Sequence, residues 1–187
     1  MKNKYWFIVL LFYACNSNYS PKPMEYFRID FPKKEYQQFD SLCPYTFQYP
    51  VYGRITKGLG EQEQNPCWIN IEFPAFKATM YISYFDLNNN LPKLLEDCRS
   101  LAYKHDIKAD AIHEILYNDF EHHLFGMVYE IKGNAASPLQ FYLTDSTHHF
   151  LRGSLYFDVK PNKDSLAPVI DFLQKDAKHL IETLRWK

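Results

Sequence analysis

Between Ile112 and Phe157 the chain carries four strand-like runs in succession, IHEILY, LFGMVYEI, LQFYLT and FLRGSLYF, with only short polar loops between them. Connections of hairpin length leave no room for the crossover that parallel strands need, so these runs must lie as antiparallel neighbours. Whatever precedes and follows them then has to cover the faces of an antiparallel sheet.

Upstream, CPYTFQYP, CWINIEF and TMYISYF read as three more strands. Ile69, Ile71 and Phe73 alternate with Trp68, Asn70 and Glu72, and a turn at residues 74–77 leads back through TMYISYF as a hairpin. The polar stop at residues 86–90 offers Asn90 as a helix cap. Beyond it Leu91, Leu94, Leu95, Cys98, Leu101 and Ala102 recur at helical spacing, which predicts a helix to about His105. A second helix is written in PNKDSLAPVIDFLQKDAKHLIETL, whose Leu166, Val169, Ile170, Leu173, Ala177, Leu180, Ile181 and Leu184 share one stripe. With Ser165 as its cap, Pro168 falls in the first turn, where a missing N–H costs nothing. Three strands, a helix, four strands and a helix predict one α+β domain over residues 43–187, an antiparallel sheet of about seven strands packed with two helices. The order is similar to that of PsbP/Mog1-type domains, an analogy of fold alone.

The N-terminus, MKNKYWFIVLLFYAC, sets Lys2 and Lys4 before a ten-residue apolar run, about half of what a spanning helix needs. That is the layout of an export signal. Cys15 directly after the run points to a lipoprotein signal cut at 1–14, with the Cys15 thiol acylated and two or three chains holding the protein to a bilayer. Residues 15–42, with three prolines between Pro21 and Pro32, read as an extended leader between lipid and domain. YFRIDFP within it is aromatic enough to lie against the domain. Processing removes two of the 21 basic residues and none of the 22 acidic ones, so the mature chain is slightly acidic and carries no basic run suited to nucleic acid.

Export also sets the cysteine chemistry. In an oxidising compartment two of Cys43, Cys67 and Cys98 are expected to pair. Cys98 sits on the apolar face of the first helix, which leaves Cys43 with Cys67 as the expected disulfide. Zinc is the alternative, but CxxC and HxxxH spacings are absent. No cofactor or metal is expected.

The densest chemistry lies in LTDSTHHFLRGSLYF, where Asp145, Ser146, His148, His149 and Arg152 fall within eight residues. A hydrolase needs a nucleophile, a base and an orienting acid that converge, and neighbours in a tight turn point apart. Asp and Ser instead favour the turn itself. The expectation is no catalytic set, with Asp145, Ser146, His149 and Arg152 as candidates for partner contact. Arg152 is expected either to meet a partner carboxylate or to bind Asp145 and hold the turn. Aromatic residues make up 18 % of the chain. Tyr81, Phe85 and Tyr156 among them are candidates to line a pocket for a lipid or glycan.

GNAASPLQFYLTDSTHHFLRGSLYF, together with YFRIDFP, CPYTFQYP, CWINIEFP, PNKDSLAPV and the terminal ETLRWK, resembles the gliding-motility lipoprotein family GldD of the Bacteroidota over essentially the whole mature chain. The resemblance implies a non-enzymatic envelope lipoprotein, and because NSNYSPKP after Cys15 lacks the acidic pair that often sends such lipoproteins to the outer face, a periplasm-facing domain is expected, with inner or outer membrane left open. Its implied partners are envelope proteins of the gliding and type IX secretion apparatus.

Overall fold

The computed structural model describes residues 29–58, 65–105 and 108–187, so the signal at 1–14 and Cys15 lie outside the described residues. The strands are β1 (Tyr36–Phe39), β2 (Tyr45–Pro50), β3 (Arg54–Lys57), β4 (Ile69–Phe73), β5 (Ala78–Asp86), β6 (Ala109–Asp119), β7 (Leu124–Gly133), β8 (Leu139–Thr144), β9 (His149–Phe157) and β10 (Arg185–Trp186). The helices are α1 (Leu91–Tyr103) and α2 (Lys163–Thr183). Seven strands form an antiparallel sheet in the order β3-β4-β5-β9-β8-β7-β6, and the two expected helices pack on it.

The composition of that sheet differs from expectation in one strand. CPYTFQYP forms β2 but pairs with β1 and β10 in a separate three-stranded sheet, and its place is taken by β3, the short run RITK. Tyr45 and Phe47 explain the difference. Two residues apart on one face, both are fully buried and stack with Phe39, so β2 has to lie over the core rather than beside it. The Tyr45 hydroxyl donates to the Cys67 carbonyl at 2.7 Å, and the Cys43–Cys67 disulfide, with Cα atoms 5.4 Å apart, ties the start of β2 to the start of β4.

Alternation then decides the two faces of the large sheet. Ile71, Met80, Ile82, Phe141, Leu151 and Leu155 point to α2 and the small sheet and form the main core with Leu173, Leu180 and Ile181. Gly153 is required there: a Cβ at that position would sit 2.2 Å from the Phe141 ring. The opposite face is covered by α1 through Cys98 and Ala102. The helix caps depart from the sequence reading. Asn162, not Ser165, caps α2, its Oδ1 accepting from the backbone of Asp164 and Ser165, which places Pro168 inside the helix. Asn90 stands at the α1 cap position, but its Oδ1 accepts from the Asn88 N–H.

Residues 29–42 carry β1 and a polar knot onto α2. Phe31 stacks on Phe172 at 4.4 Å. Lys34 Nζ lies 2.6 Å from Asp176 Oδ1 and also donates to the Phe172 carbonyl. The hydroxyls of Tyr36 and Tyr52 donate to the same carboxylate, which is 2 % exposed. Removing one partner of a buried pair leaves the other charge uncompensated, typically at about 3–5 kcal/mol. Asp176→Ala is therefore expected to lower stability by about that much in urea denaturation, well beyond the effect of Asp171→Ala on the exposed side of the same helix.

Candidate functional site

The turn from β8 to β9 is built by Asp145. Its Oδ1 accepts from the backbone N–H groups of Thr147, His148 and His149 at 2.8–3.0 Å, and its Oδ2 from the Thr147 hydroxyl. Ser146 takes a positive φ of 69°, and its N–H donates to the Thr144 hydroxyl. Burial alone would raise the Asp145 pKa; the three backbone donors and the Thr147 hydroxyl outweigh it and hold the carboxyl well below the usual carboxylate range. A carboxylate so occupied keeps little capacity for a substrate.

The neighbouring candidates are also engaged. His149 is half-buried, stacks on Trp186 at 5.1 Å, and its Nδ1 lies 2.8 Å from the Tyr84 hydroxyl, which donates to Asp86. His148 is the imidazole left outside, its side chain 79 % exposed and 3.6 Å from Asp145. Arg152 does not bind Asp145. It is half-buried on the α1 side of β9, where its guanidinium reaches the Cys98 thiol; burial pushes that thiol up to about 11 against the lowering effect of Arg152. Ser146 is exposed at the tip. The structure thus brings Asp145, Ser146 and His148 together as a turn and sets Arg152 under a helix.

Tyr81, Phe85 and Tyr156 pack against other aromatic rings. Tyr81 meets Tyr156 edge to face at 5.8 Å, and Phe85 meets Trp68 in the same way. A groove of about 460 Å³ opens on the other face, between α2 and the β6–β7 end of the sheet. Its floor is Ile115, Tyr117, Val128, Leu139 and Ile181, and its rim mixes Lys175 and Lys178 with Asp171, Glu130 and Glu182. Beside it runs β6, the outermost strand, paired only with β7. Ile115, Leu116 and the following Phe120 are 46 %, 66 % and 76 % exposed. Large apolar side chains clustered on an edge are the informative exposure, because singly scattered ones are ordinary. One signal for them stands in the sequence: Ile115, Leu116 and Tyr117 are consecutive in IHEILY, so both faces of that strand are apolar.

Among the described residues no helix is long and apolar enough to cross a membrane, and no cluster of His, Cys, Asp and Glu is arranged to hold a metal ion. Fold and site together describe an antiparallel α+β domain whose accessible features are a strand edge and a shallow groove. The model of the gliding motility lipoprotein GldD family matches residues 16–186, and the chain belongs to that family. The family implies a role in gliding motility and association with the cell envelope. Among solved structures, the solution structure of cyanobacterial PsbP from Synechocystis sp. PCC 6803 is similar at 10 % identity, covering 83 % of this chain and 95 % of that one with a TM-score of 0.49. A search of curated proteins returns no match.

The Asp145 turn yields a pH prediction. A folded-state pKa depressed below its unfolded value of about 3.9 contributes stability that is complete above that pH and is lost as pH falls through the folded value. Asp145→Ala should therefore cost about 1–3 kcal/mol at neutral pH, with the gap to the unsubstituted protein closing as pH drops below about 4. Urea midpoints measured from pH 7 to pH 2 check both parts; a gap independent of pH would show that the carboxylate charge is not what holds the turn.

Proposed function

We propose that this protein is a non-enzymatic envelope lipoprotein that serves gliding motility and the associated type IX secretion machinery by contacting their envelope proteins. The bare, apolar β6 edge with Leu116 and Phe120 is the observation that carries this reading, because such a surface on an otherwise well-covered domain is suited to a protein partner. The β8–β9 turn, with Ser146 and His148 exposed around Asp145, lies at the same strand end as Phe120 but inward of β6 and offers a secondary contact. Cys15 carries the lipid and the domain faces the periplasm.

The groove beside β6 favours a second reading, a module that binds a lipid or glycan during envelope assembly. Its volume and apolar floor suit an acyl chain, while its rim of both signs selects no headgroup charge.

Affinity capture of the full chain from detergent-extracted envelopes tests the first reading. Gliding or secretion components are expected above the level of an untagged control, and a Leu116→Ser/Phe120→Ser variant of unchanged melting temperature should lose at least four-fifths of that recovery and fail to restore spreading to cells lacking the protein. Recovery of no envelope protein would refute the contact reading. Native mass spectrometry of the same preparation decides the second, which requires a bound small molecule that is lost when Ile181 is replaced by tryptophan.

A further inference from the structure

We propose that the outer edge of β6 receives an extended strand of another protein as the eighth strand of the sheet, and that this strand carries apolar residues at its centre with Lys or Arg to either side. The inference rests on the protein-contact reading above and gives it a mode, a register and a partner chemistry.

The backbone defines which groups are offered. In an antiparallel ladder each residue turns its N–H and C=O to the same side, and successive residues alternate. The Ile131 N–H donates to the carbonyl of Pro138, directly before β8, so Ile131, Tyr129 and Met127 face β8 while Glu130, Val128 and Gly126 face β6. Carried through the β6–β7 register, His113, Ile115 and Tyr117 bond inward. Ile112, Glu114, Leu116 and Asn118 are left with their peptide groups pointing out of the sheet.

The two ends of the sheet are treated differently. The β3 edge is four residues long and bears Arg54 and Lys57, a short and charged edge of the kind that discourages added strands. The β6 edge is eleven residues long and contains no Pro, Lys or Arg. Its only irregularity is a register shift between Ala109 and Ala111, at one end. A long edge free of Pro, Lys and Arg, with Leu116 66 % exposed, is suited to strand addition, in which main-chain hydrogen bonds give affinity and alternate side chains give specificity.

Charge decides between occupants. Residues 109–121 hold Asp110, Glu114, Asp119 and Glu121 and no basic residue other than His113. Lys163 pairs with Asp110 and His122 with Asp119, while Glu114, midway along and exposed, accepts only a hydroxyl bond from Tyr103 among its described contacts. A second copy adding its own β6 would offer further acids and no Lys or Arg to meet Glu114, and in the register centred on Glu114 would set like charges opposite one another. A second copy adding β3 would offer four residues, with Arg54 already held by Glu72 at 2.6 Å. A partner strand with apolar residues opposite Ile115 and Leu116 and a cation near Glu114 meets both the apolar and the acidic features.

The test places a photoreactive residue at 112, 114, 116 or 118 in the full-length chain in cells, and maps each attachment point by mass spectrometry. Attachment points are expected in one stretch of one partner, advancing by two residues per step, with Lys or Arg flanking an apolar centre. Steps of three or four residues, attachment to another copy of this chain, or capture from position 148 but not from β6 would overturn the proposal and leave the protein-contact reading standing. Capture of no envelope protein from any of the five positions would remove both. Leu116→Pro deletes an outward N–H and should reduce capture from 112 and 118 at least tenfold. Should that variant fail to fold, Glu114→Lys is expected to reduce capture at least fivefold, and undiminished capture would refute the basic partner.

Discussion

A buried carboxylate organises this domain. Asp176 sits in the apolar stripe of α2, and taking such a charge out of water costs several kcal/mol unless its acceptors are filled. Here Lys34, Tyr36 and Tyr52 fill them, and Lys34 in turn lies 3.4 Å from the centre of the Phe172 ring. The network joins the segment before β1, β1 itself and the β2–β3 turn to the closing helix, which lies more than a hundred residues away along the chain. Each must be in place before the carboxylate is satisfied, so the knot selects one arrangement of the small sheet and α2 over the main sheet. Residues 29–34 are also the route from the N-terminal side into the fold. Force arriving from there is met first by the Phe31–Phe172 stack and the Lys34–Asp176 pair, before β1.

Fixing α2 in this way has a geometric consequence. A helix with its side chains is about 10–12 Å across, whereas seven strands about 4.8 Å apart make a sheet close to 30 Å wide. The small sheet extends the cover through Tyr45 and Phe47, over the region where the disulfide holds β2 to β4. Nothing described extends it toward β6, so the groove floor and the edge strand stay accessible on the side farthest from the knot.

Much of this was legible in the sequence, for identifiable reasons. The meander from β6 to β9 and both helices followed from periodicity, and the Asp145 turn from the known local bonding of Asp. The small sheet was not legible, because CPYTFQYP alternates like any half-buried strand and only the stacking of Tyr45 and Phe47 with Phe39 says what it lies on. RITK does not read as a strand, because four residues with a charge at each end carry almost no pattern. Asp176 does carry a signal: it stands three residues after Leu173 and four before Leu180, on the stripe rather than off it. Its partners Lys34 and Tyr52 are more than a hundred residues away, and no local pattern could supply them.

The same distinction explains why the chemically dense stretch and the accessible surface are different places. Asp145, Ser146, Thr147 and His148 attract attention because their side chains can do much, and in the fold most of that capacity is spent on their own backbone. Arg152 and His149 are similarly committed, one beside Cys98 and the other between Trp186 and Tyr84. IHEILYND looks plain by comparison, yet its outward peptide groups and the side chains of Leu116 and Glu114 have few described partners. Binding free energy comes from groups left unsatisfied in the free protein, not from groups that are merely reactive. On that criterion the edge of the sheet, and not its most polar turn, is where this domain has interactions left to make.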